Sequence, residues 1–280
     1  MSKRRLVEIC YGKHDVNLLA LAQEVSAARA DVRVTHLREI GSSAYVIDRG
    51  AVPADCAMVL HPSAGGTTWR SAMTHMTTGR LLNRTALSYP DVGDKLWQQK
   101  QVAAAESRLA IETRRIAEVS AAEVDFPVIV KPARGTCGEG VRIVVDSAGL
   151  ADQQGDQLVV QPYVRNHGDW RVVVIGGRAV SAIRRHARPG VVTNNIATGG
   201  FAYAERDGEI LGRVFGVAEQ VASILKFDYV GIDVIQDLDD GSLLFLEANE
   251  FPTFETSQIL TGVNIASVLV GHLLDGDLFE

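Results

Sequence analysis

Apolar and polar positions follow two rhythms along this chain, and the change between them divides it. In residues 1–90, short apolar runs at 6–10, 32–37 and 57–60 bracket Leu18, Leu19, Leu21, Ala22 and Val25, which recur at helical spacing behind Asp15, a residue suited to capping a helix. Strand, helix, strand is a βαβ opening. The third run leads into His61-Pro62-Ser63-Ala64-Gly65-Gly66, a loop at a strand's carboxyl end, where open α/β sheets bind ligands.

Asp94 then precedes an Ala- and Gln-rich helix predicted from Lys95 to about Leu109, and beyond Phe126 strands dominate: 128–131, 141–145, 157–164, 171–175 and 178–184. The loops between them carry Gly135, Gly138, Gly140 and the pair Gly176-Gly177, which suits hairpins and an antiparallel module. Apolar residues at 210, 214, 217, 221 and 224 and at 211, 215, 218, 222 and 225 mark an amphipathic helix over 209–227. Strands at 229–236 and 243–249 and a last helix over 264–274 complete the pattern.

Composition narrows the chemistry. The chain has 280 residues, 46% hydrophobic and 22% charged, which suits several packed layers and excludes disordered and collagen-like chains. No apolar stretch approaches the roughly 18 residues of a membrane span, and the run after Lys3-Arg4-Arg5 is broken by Glu8, so a cytoplasmic protein with no membrane partner is expected. Three cysteines, Cys10, Cys56 and Cys137, at no CxxC spacing fit a reducing compartment and speak against a disulfide framework or structural zinc. With 28 basic against 34 acidic residues, net charge −6, nothing in the electrostatics points to nucleic acid. Small-molecule chemistry is the default.

Two local patterns carry candidate chemistry. A loop Asp239-Asp240-Gly241 pairing Leu238 with Ser242 puts Asp233 opposite Glu247 and Gly231 opposite Asn249, with space left beside Gly231. Opposed carboxylates among apolar neighbours repel unless a divalent cation, Mg²⁺ by ligand type, lies between them; the alternative is one carboxylate turned to solvent or a register slip. The second pattern is Lys131-Pro132-Ala133-Arg134-Gly135-Thr136-Cys137-Gly138-Glu139-Gly140 between β-branched strands. Its glycines let backbone N–H groups approach phosphate oxygens, although a glycine hairpin is also a plain turn. Neither a Rossmann turn nor a Walker A loop fits, because no helix and no Gly-Lys-Ser/Thr follows. Lys95, Lys131, Arg171, Arg184 and Arg185 fall in or beside apolar elements, and a triphosphate site accounts for all of them together.

Taken in order, Asp94-Lys95, Val-Ile-Val-Lys131-Pro with its flap, Gln161-Pro162-Tyr163-Val164, Asp169-Trp170-Arg171, Gly231-Ile232-Asp233 and Glu247-Ala-Asn249 resemble the ATP-grasp superfamily over roughly residues 80–275. Within it the chain is similar to the RimK/LysX-like, glutathione-synthetase-type branch, which includes the ribosomal-protein glutamate ligases and the lysine-biosynthesis ligases. It shares Ile183-Arg184-Arg185, a Thr-Asn segment running to Gly-Gly over 193–200, and Thr261-Gly-Val-Asn-Ile265. The resemblance implies a mixed α/β and α+β, ATP-grasp fold: an N-terminal α/β pre-ATP-grasp domain (1–90), a small central lid with the flap (91–160) and a C-terminal antiparallel-sheet subdomain with the metal site (161–280).

For the site, the resemblance implies that Lys95, Lys131, Gly135, Thr136, Gly138, Gly140 and Asp169 bind ATP and that Gln161, Tyr163 and Val164 hold adenine. It places Asp233, Glu247 and Asn249 on a pair of Mg²⁺ ions, with Mn²⁺ able to replace them, and Arg171, Arg185 and Asn195 near the transferred phosphate. Gly65, Gly66, Thr67 and Arg184 are the candidate substrate contacts; for the first three a simple connection is the alternative. The implied reaction joins a small-molecule carboxylate to an amine through an acyl phosphate, in a homo-oligomer, dimer or tetramer. Cys137 is read as a space-filling residue. Pro162 replaces a frequent Glu, Thr198 replaces the Arg before Gly-Gly, and 146–156 is short for the usual lid helices. Two alternatives stand beside ligation: ring closure within one substrate, as in the ATP-grasp cyclase of D-cycloserine biosynthesis, and a nucleotide-binding regulatory module without turnover.

Overall fold

The expected βαβ opening forms. A computed structural model describes residues 6–11, 16–28, 30–40, 44–47, 57–60, 81–135, 138–194, 196 and 199–275. Strand β1 (Leu6–Tyr11) runs parallel to β2 (Asp31–Ile40), with α1 (Val16–Ala27) between them in sequence. A short β3 (Ala44–Ile47), not anticipated, returns antiparallel on β2, and β4 (Ala57–Leu60) lies parallel on the other side of β1. Asp15 and the 61–66 loop lie outside the described residues.

After a one-turn helix α2 (Arg84–Leu87), α3 (Lys95–Ala105) starts where Asp94 accepts from the N–H groups of Leu96 and Trp97 at 2.8 and 3.2 Å, as an N-cap should. The helix stops short of Leu109, because Glu106 leaves helical geometry and Ser107–Leu109 forms a separate 3-10 turn. Next comes the lid sheet, β5 (Arg114–Arg115), β6 (Val128–Pro132), β7 (Arg142–Val144) and β8 (Leu158–Pro162), in the order β5-β8-β6-β7. One five-residue helix, α4 (Ser147–Ala151), spans its back; Leu150 joins Val128, Val130, Val144 and Val160 in a small core of its own.

The larger sheet is antiparallel throughout. It contains β9 (Asp169–Ile175), β10 (Arg178–His186), β11 (Phe201–Ala204), β12 (Tyr229–Gln236) and β13 (Leu243–Asn249), in the order β11-β10-β9-β12-β13. Helix α5 (Gly208–Leu225) lies across one face, where its buried row Val214, Ala218, Val221 and Leu225 shares a core with Trp170, Val172, Val174, Val230, Ile232, Val234 and Phe245. Burying each such side chain contributes roughly 1.5–3 kcal/mol. Two further helices close the chain, α6 (Glu255–Thr261) and α7 (Ile265–Asp275). Leu269, Val270 and Leu273 of α7 meet Leu21 and Val25 of α1, so the N-terminal unit is seated on the C-terminal helix. Among the described residues, no single helix is long and apolar enough to cross a membrane.

The β12–β13 hairpin differs instructively from expectation. Asp237, not Leu238, pairs with Ser242, and the turn is Leu238 to Gly241, one residue longer than the sequence suggested, with Gly241 at φ 75°. Counted from that turn, Val234 pairs with Phe245 and Ile235 with Leu244. A bulge at Leu246 then inserts one unpaired residue and restores Asp233 opposite Glu247 and Gly231 opposite Asn249. Nor is space left beside Gly231: a Cβ there would lie 2.8 Å from Pro252 and 3.0 Å from the Cδ of Arg171.

One buried side chain ties the entry segment to the large sheet. Asn83, in the left-handed region at φ 61°, donates through Nδ2 to the carbonyls of Tyr229 (2.6 Å) and Glu250 (2.8 Å), while Oδ1 accepts from the N–H groups of Asp228 and Tyr229. Every hydrogen-bonding position of the amide is used. Asn83→Ala orphans these four backbone groups, each costing on the order of 1–3 kcal/mol, and leaves a Cβ residue without local bonding in a left-handed turn. The urea unfolding midpoint is expected to fall by the equivalent of about 3 kcal/mol or more at unchanged slope; a loss below about 1 kcal/mol would show that water replaces the amide.

Candidate active site

The lid sheet and the large sheet face each other across a cleft of about 600 Å³, a volume ordinary for a small-molecule site. Alternation along the strands decides what looks into it. On β9 Asp169 and Arg171 share a face, Trp170 the other; register sets Arg185 of β10 beside Asp169, and Asp233 of β12 beside Arg171. All four line the cleft, as does Glu247.

These charges are paired. Arg171 makes a two-pronged contact with Asp233, through Nε to Oδ1 and Nη2 to Oδ2. Arg185 reaches the same Oδ2 with Nη2 at 2.9 Å and gives its Nε to Asp169 Oδ1 at 2.6 Å. Glu247 is met by Lys95 Nζ at 3.3 Å, and Asn249 Nδ2 donates to Glu247 Oε1 at 3.4 Å. Besides a cation, Asp233 and Glu247 thus have partners that the hairpin sequence did not reveal: Arg171 and Arg185, 62 and 48 positions away, bring guanidinium to one, and Lys95, 152 positions away, brings ammonium to the other. Sequence spacing alone could not pair them.

Electrostatics follow from that arrangement. Burial opposes the charged form of Asp233, yet Arg171 and Arg185 hold it below the usual carboxylate range. Burial, added to by Asp233, lifts Asp169 above that range against the pull of Arg185. Arg185 itself is buried but is kept firmly charged by Asp233 and Asp169. Lys131, on β6 with its side chain in the cleft, is pushed down to about 8 by burial, with Lys95 adding to the effect and Glu247 and Asp233 opposing it.

Lys95 begins α3, and its Nζ donates to the Gly135 carbonyl at 2.9 Å, joining helix start to flap. Asp94, besides capping α3, takes Arg115 of the lid on its second oxygen at 2.7 Å. At the flap tip Gly138 has φ 72°, and a Cβ would fall 2.7 Å from Thr193, so the flap closes against the loop after β10. Gly140, also at positive φ, packs on Pro132 outside the cleft lining. Gln161, Tyr163 and Val164 form the far wall; Gln161 Nε2 donates to Thr113 Oγ1 at 2.7 Å, so its amide serves the wall.

Arg184 is not in the cleft. It lies on the opposite face from Arg185, its guanidinium 4.1 Å over the Trp170 ring and 4.0 Å from Glu205, which also accepts from Trp170 Nε1. Adjacent residues on a strand cannot share a face, which the Arg-Arg pair should have shown. Asn249 touches Glu247 but does not line the cleft. Thr136, Asn195, Gly65, Gly66, Thr67 and Cys137 lie outside the described residues. Asn194, which sequence reasoning passed over, lines the cleft, donates to Asp169 Oδ2 at 3.4 Å and accepts from the Ala187 N–H. Its only signal was the Thr-Asn segment that drew attention to position 195.

A family model described as a RimK-like ATP-grasp domain matches residues 93–273. A probable alpha-L-glutamate ligase of Aeromonas salmonicida is 30% identical over 156 residues, 52% of this chain and 50% of that protein. The chain spans about half the length of the curated glutamate ligases it matches. Among solved structures, D-alanine–D-alanine ligase from Bacillus anthracis superposes with a TM-score of 0.67 at 18% identity, covering 98% of this chain and 97% of that one. The ATP-grasp ligase PsnB, complexed with a minimal precursor, Mg and ADP, gives a TM-score of 0.64 at 15% identity over 96% and 97% of the two chains. At such identities the likeness is one of fold.

For a polyanion bound beside Lys131, affinity is expected to depend on pH. An ammonium at about 8 is charged below that pH, and a bound polyanion raises its pKa, so binding weakens as pH rises through 8. The dissociation constant for ATP without metal is expected to be level between pH 6.5 and 7.5 and to increase by up to about tenfold per unit above 8. Lys131→Met should remove that slope, and a wild-type profile flat to pH 9.5 would sink the assignment.

Proposed function

The chain belongs to the RimK-like ATP-grasp family, and on that premise we propose that it is an ATP-dependent ligase that activates a small-molecule carboxylate as an acyl phosphate and joins it to an amine. The observation that carries this reading is the charged floor of the cleft, where two lysines, two arginines and three carboxylates converge beneath a glycine flap. On this reading Lys95 and Lys131 hold phosphate oxygens, Gly135 and Gly138 let the flap lie on them, and the wall from Gln161 to Val164 takes adenine; all line the cleft.

The donor set suits Mg²⁺. Among the described residues no three of His, Cys, Asp and Glu cluster as a metal group; a cation in this cleft would be held by Asp233 and Glu247, which line it, with the Asn249 amide beside Glu247. Two carboxylates and an amide, completed by water and phosphate oxygens, is the coordination Mg²⁺ favours, and Mn²⁺ accepts it. Bound with nucleotide it would supply charge neutralisation on the β- and γ-phosphates.

A carboxylate in water has no adequate leaving group. Transfer of the γ-phosphoryl to a carboxylate oxygen releases ADP and creates one; the amine then attacks the acyl carbon, the C–O bond to phosphate breaks, and inorganic phosphate departs. This chain's residues need only position and neutralise: Arg171 and Arg185 carry positive charge to the floor, and the closed flap excludes water. No protein nucleophile is required. The short lid, one five-residue helix, favours a small substrate and leaves room for ring closure as a second outcome.

Hydroxylamine with ATP, Mg²⁺ and a panel of amino-acid and peptide carboxylates is expected to give an acyl hydroxamate and ADP. Product mass then separates joining of two substrates from closure of one. Glu247→Gln should lower ADP release at least about a hundredfold with the circular dichroism spectrum retained. ATP binding with no hydroxamate across the panel would favour the regulatory reading, and undiminished turnover in Glu247→Gln would remove the metal assignment.

A further inference from the structure

The buried charges on the cleft floor are arranged unequally, and the inequality suggests an order of release. Both oxygens of Asp233 are occupied: Oδ1 by Arg171, and Oδ2 by Arg171 Nη2 and Arg185 Nη2, each at 2.9 Å. Oδ2 has both of its lone pairs engaged, so coordination through that oxygen requires an N–H donor to leave. Arg171 is fixed by two prongs, and its stem packs on Gly231, whose Cβ would meet Arg171 Cδ at 3.0 Å. Arg185 holds Asp233 by one bond only.

Asp169 decides what happens to Arg185 on release. Its Oδ1 takes Arg185 Nε at 2.6 Å, and its other oxygen is steadied by Asn194 at 3.4 Å; Asp169 and Arg185 are 4% and 6% exposed, so water is a poor substitute partner. Resting on the ligase reading above, we propose that Asp169 is a positioning residue for Arg185. Arg185 neutralises Asp233 while no cation is bound. When Oδ2 of Asp233 is given over to a cation, the Nε bond to Asp169 keeps the guanidinium on the floor with its Nη2 free for the anionic group being transferred. Asp169 thus acts on metal binding through Arg185, and its own contact with nucleotide is not needed. The charges balance throughout: no proton moves, and Arg185 exchanges one carboxylate oxygen for a phosphoryl oxygen.

The test is Mn²⁺ binding to the full chain with ADP, followed by electron paramagnetic resonance, a readout independent of turnover. Asp169→Asn leaves Arg185 balanced by Asp233 alone, which strengthens the competitor, and Mn²⁺ affinity is expected to fall about tenfold. Arg185→Gln removes the competitor and should tighten Mn²⁺ severalfold. The double variant should match Arg185→Gln alone, because Asp169 has nothing left to hold; a through-space charge effect would instead add. Additive shifts, a tighter Asp169→Asn or a weaker Arg185→Gln each overturn the proposal. Should Arg185→Gln not fold, Arg185→Lys, whose single ammonium lacks the fork needed for both carboxylates, is expected to tighten Mn²⁺ in its place, and unchanged affinity counts against the idea. Asp233→Asn separates the two levels: if it leaves Mn²⁺ affinity intact, the metal site itself is misplaced.

Discussion

Keeping ionised side chains out of water within three neighbouring strands is the constraint on which the site depends. Each buried ion costs several kcal/mol unless it meets an opposite charge in good geometry. Asp169, Arg171, Arg185 and Asp233 meet that condition only in one register, Arg185 beside Asp169 and Asp233 beside Arg171. A slip of one residue would bring Trp170 to the cleft and send charges into the core under α5. The other face resists the same slip, because Arg184 lies over Trp170 and both are tied to Glu205. Two networks, back to back on β9 and β10, thus fix one alignment.

The lid is joined to that floor by few residues with double duties. Asp94 caps α3 with one oxygen and holds Arg115 of the lid with the other; the next residue, Lys95, reaches Glu247 below and the flap carbonyl of Gly135 above. Where α3 begins thus determines how lid, flap and floor meet. Gln98 and Gln99, buried on the same helix, bind carbonyls of β13 and secure the helix to the sheet.

Periodicity revealed most of the architecture because most elements carry one apolar face; α5, β9, β12 and β13 were all legible for that reason. Elements too short to repeat, β3, β5, β11 and α6, left no rhythm to read. At the site, residue types were legible for Lys131, Asp233 and Glu247, and the two carboxylates were rightly read as opposed although a bulge lies beside Glu247. Pairings were not: Arg171 with Asp233, Lys95 with Glu247 and Asn83 with Tyr229 join distant segments, and a single sequence carries no trace of such partnerships. Arg184 shows the opposite failure, since strict alternation separates it from Arg185 and was not applied.

The hairpin of β12 and β13 gave the expected partners through two deviations that cancel, a longer turn and an extra residue at Leu246. Were Leu246 instead drawn into a regular ladder opposite Asp233, Glu247 would follow the alternation of Phe245 and face α5. The bulge instead sets Leu246 and Glu247 side by side on the cleft wall. What places this carboxylate is therefore the count of residues between turn and site. In evolutionary terms, a single-codon insertion here is a different class of change from any substitution: it would leave the composition of the strand almost untouched while turning its chemistry to the wrong side of the sheet.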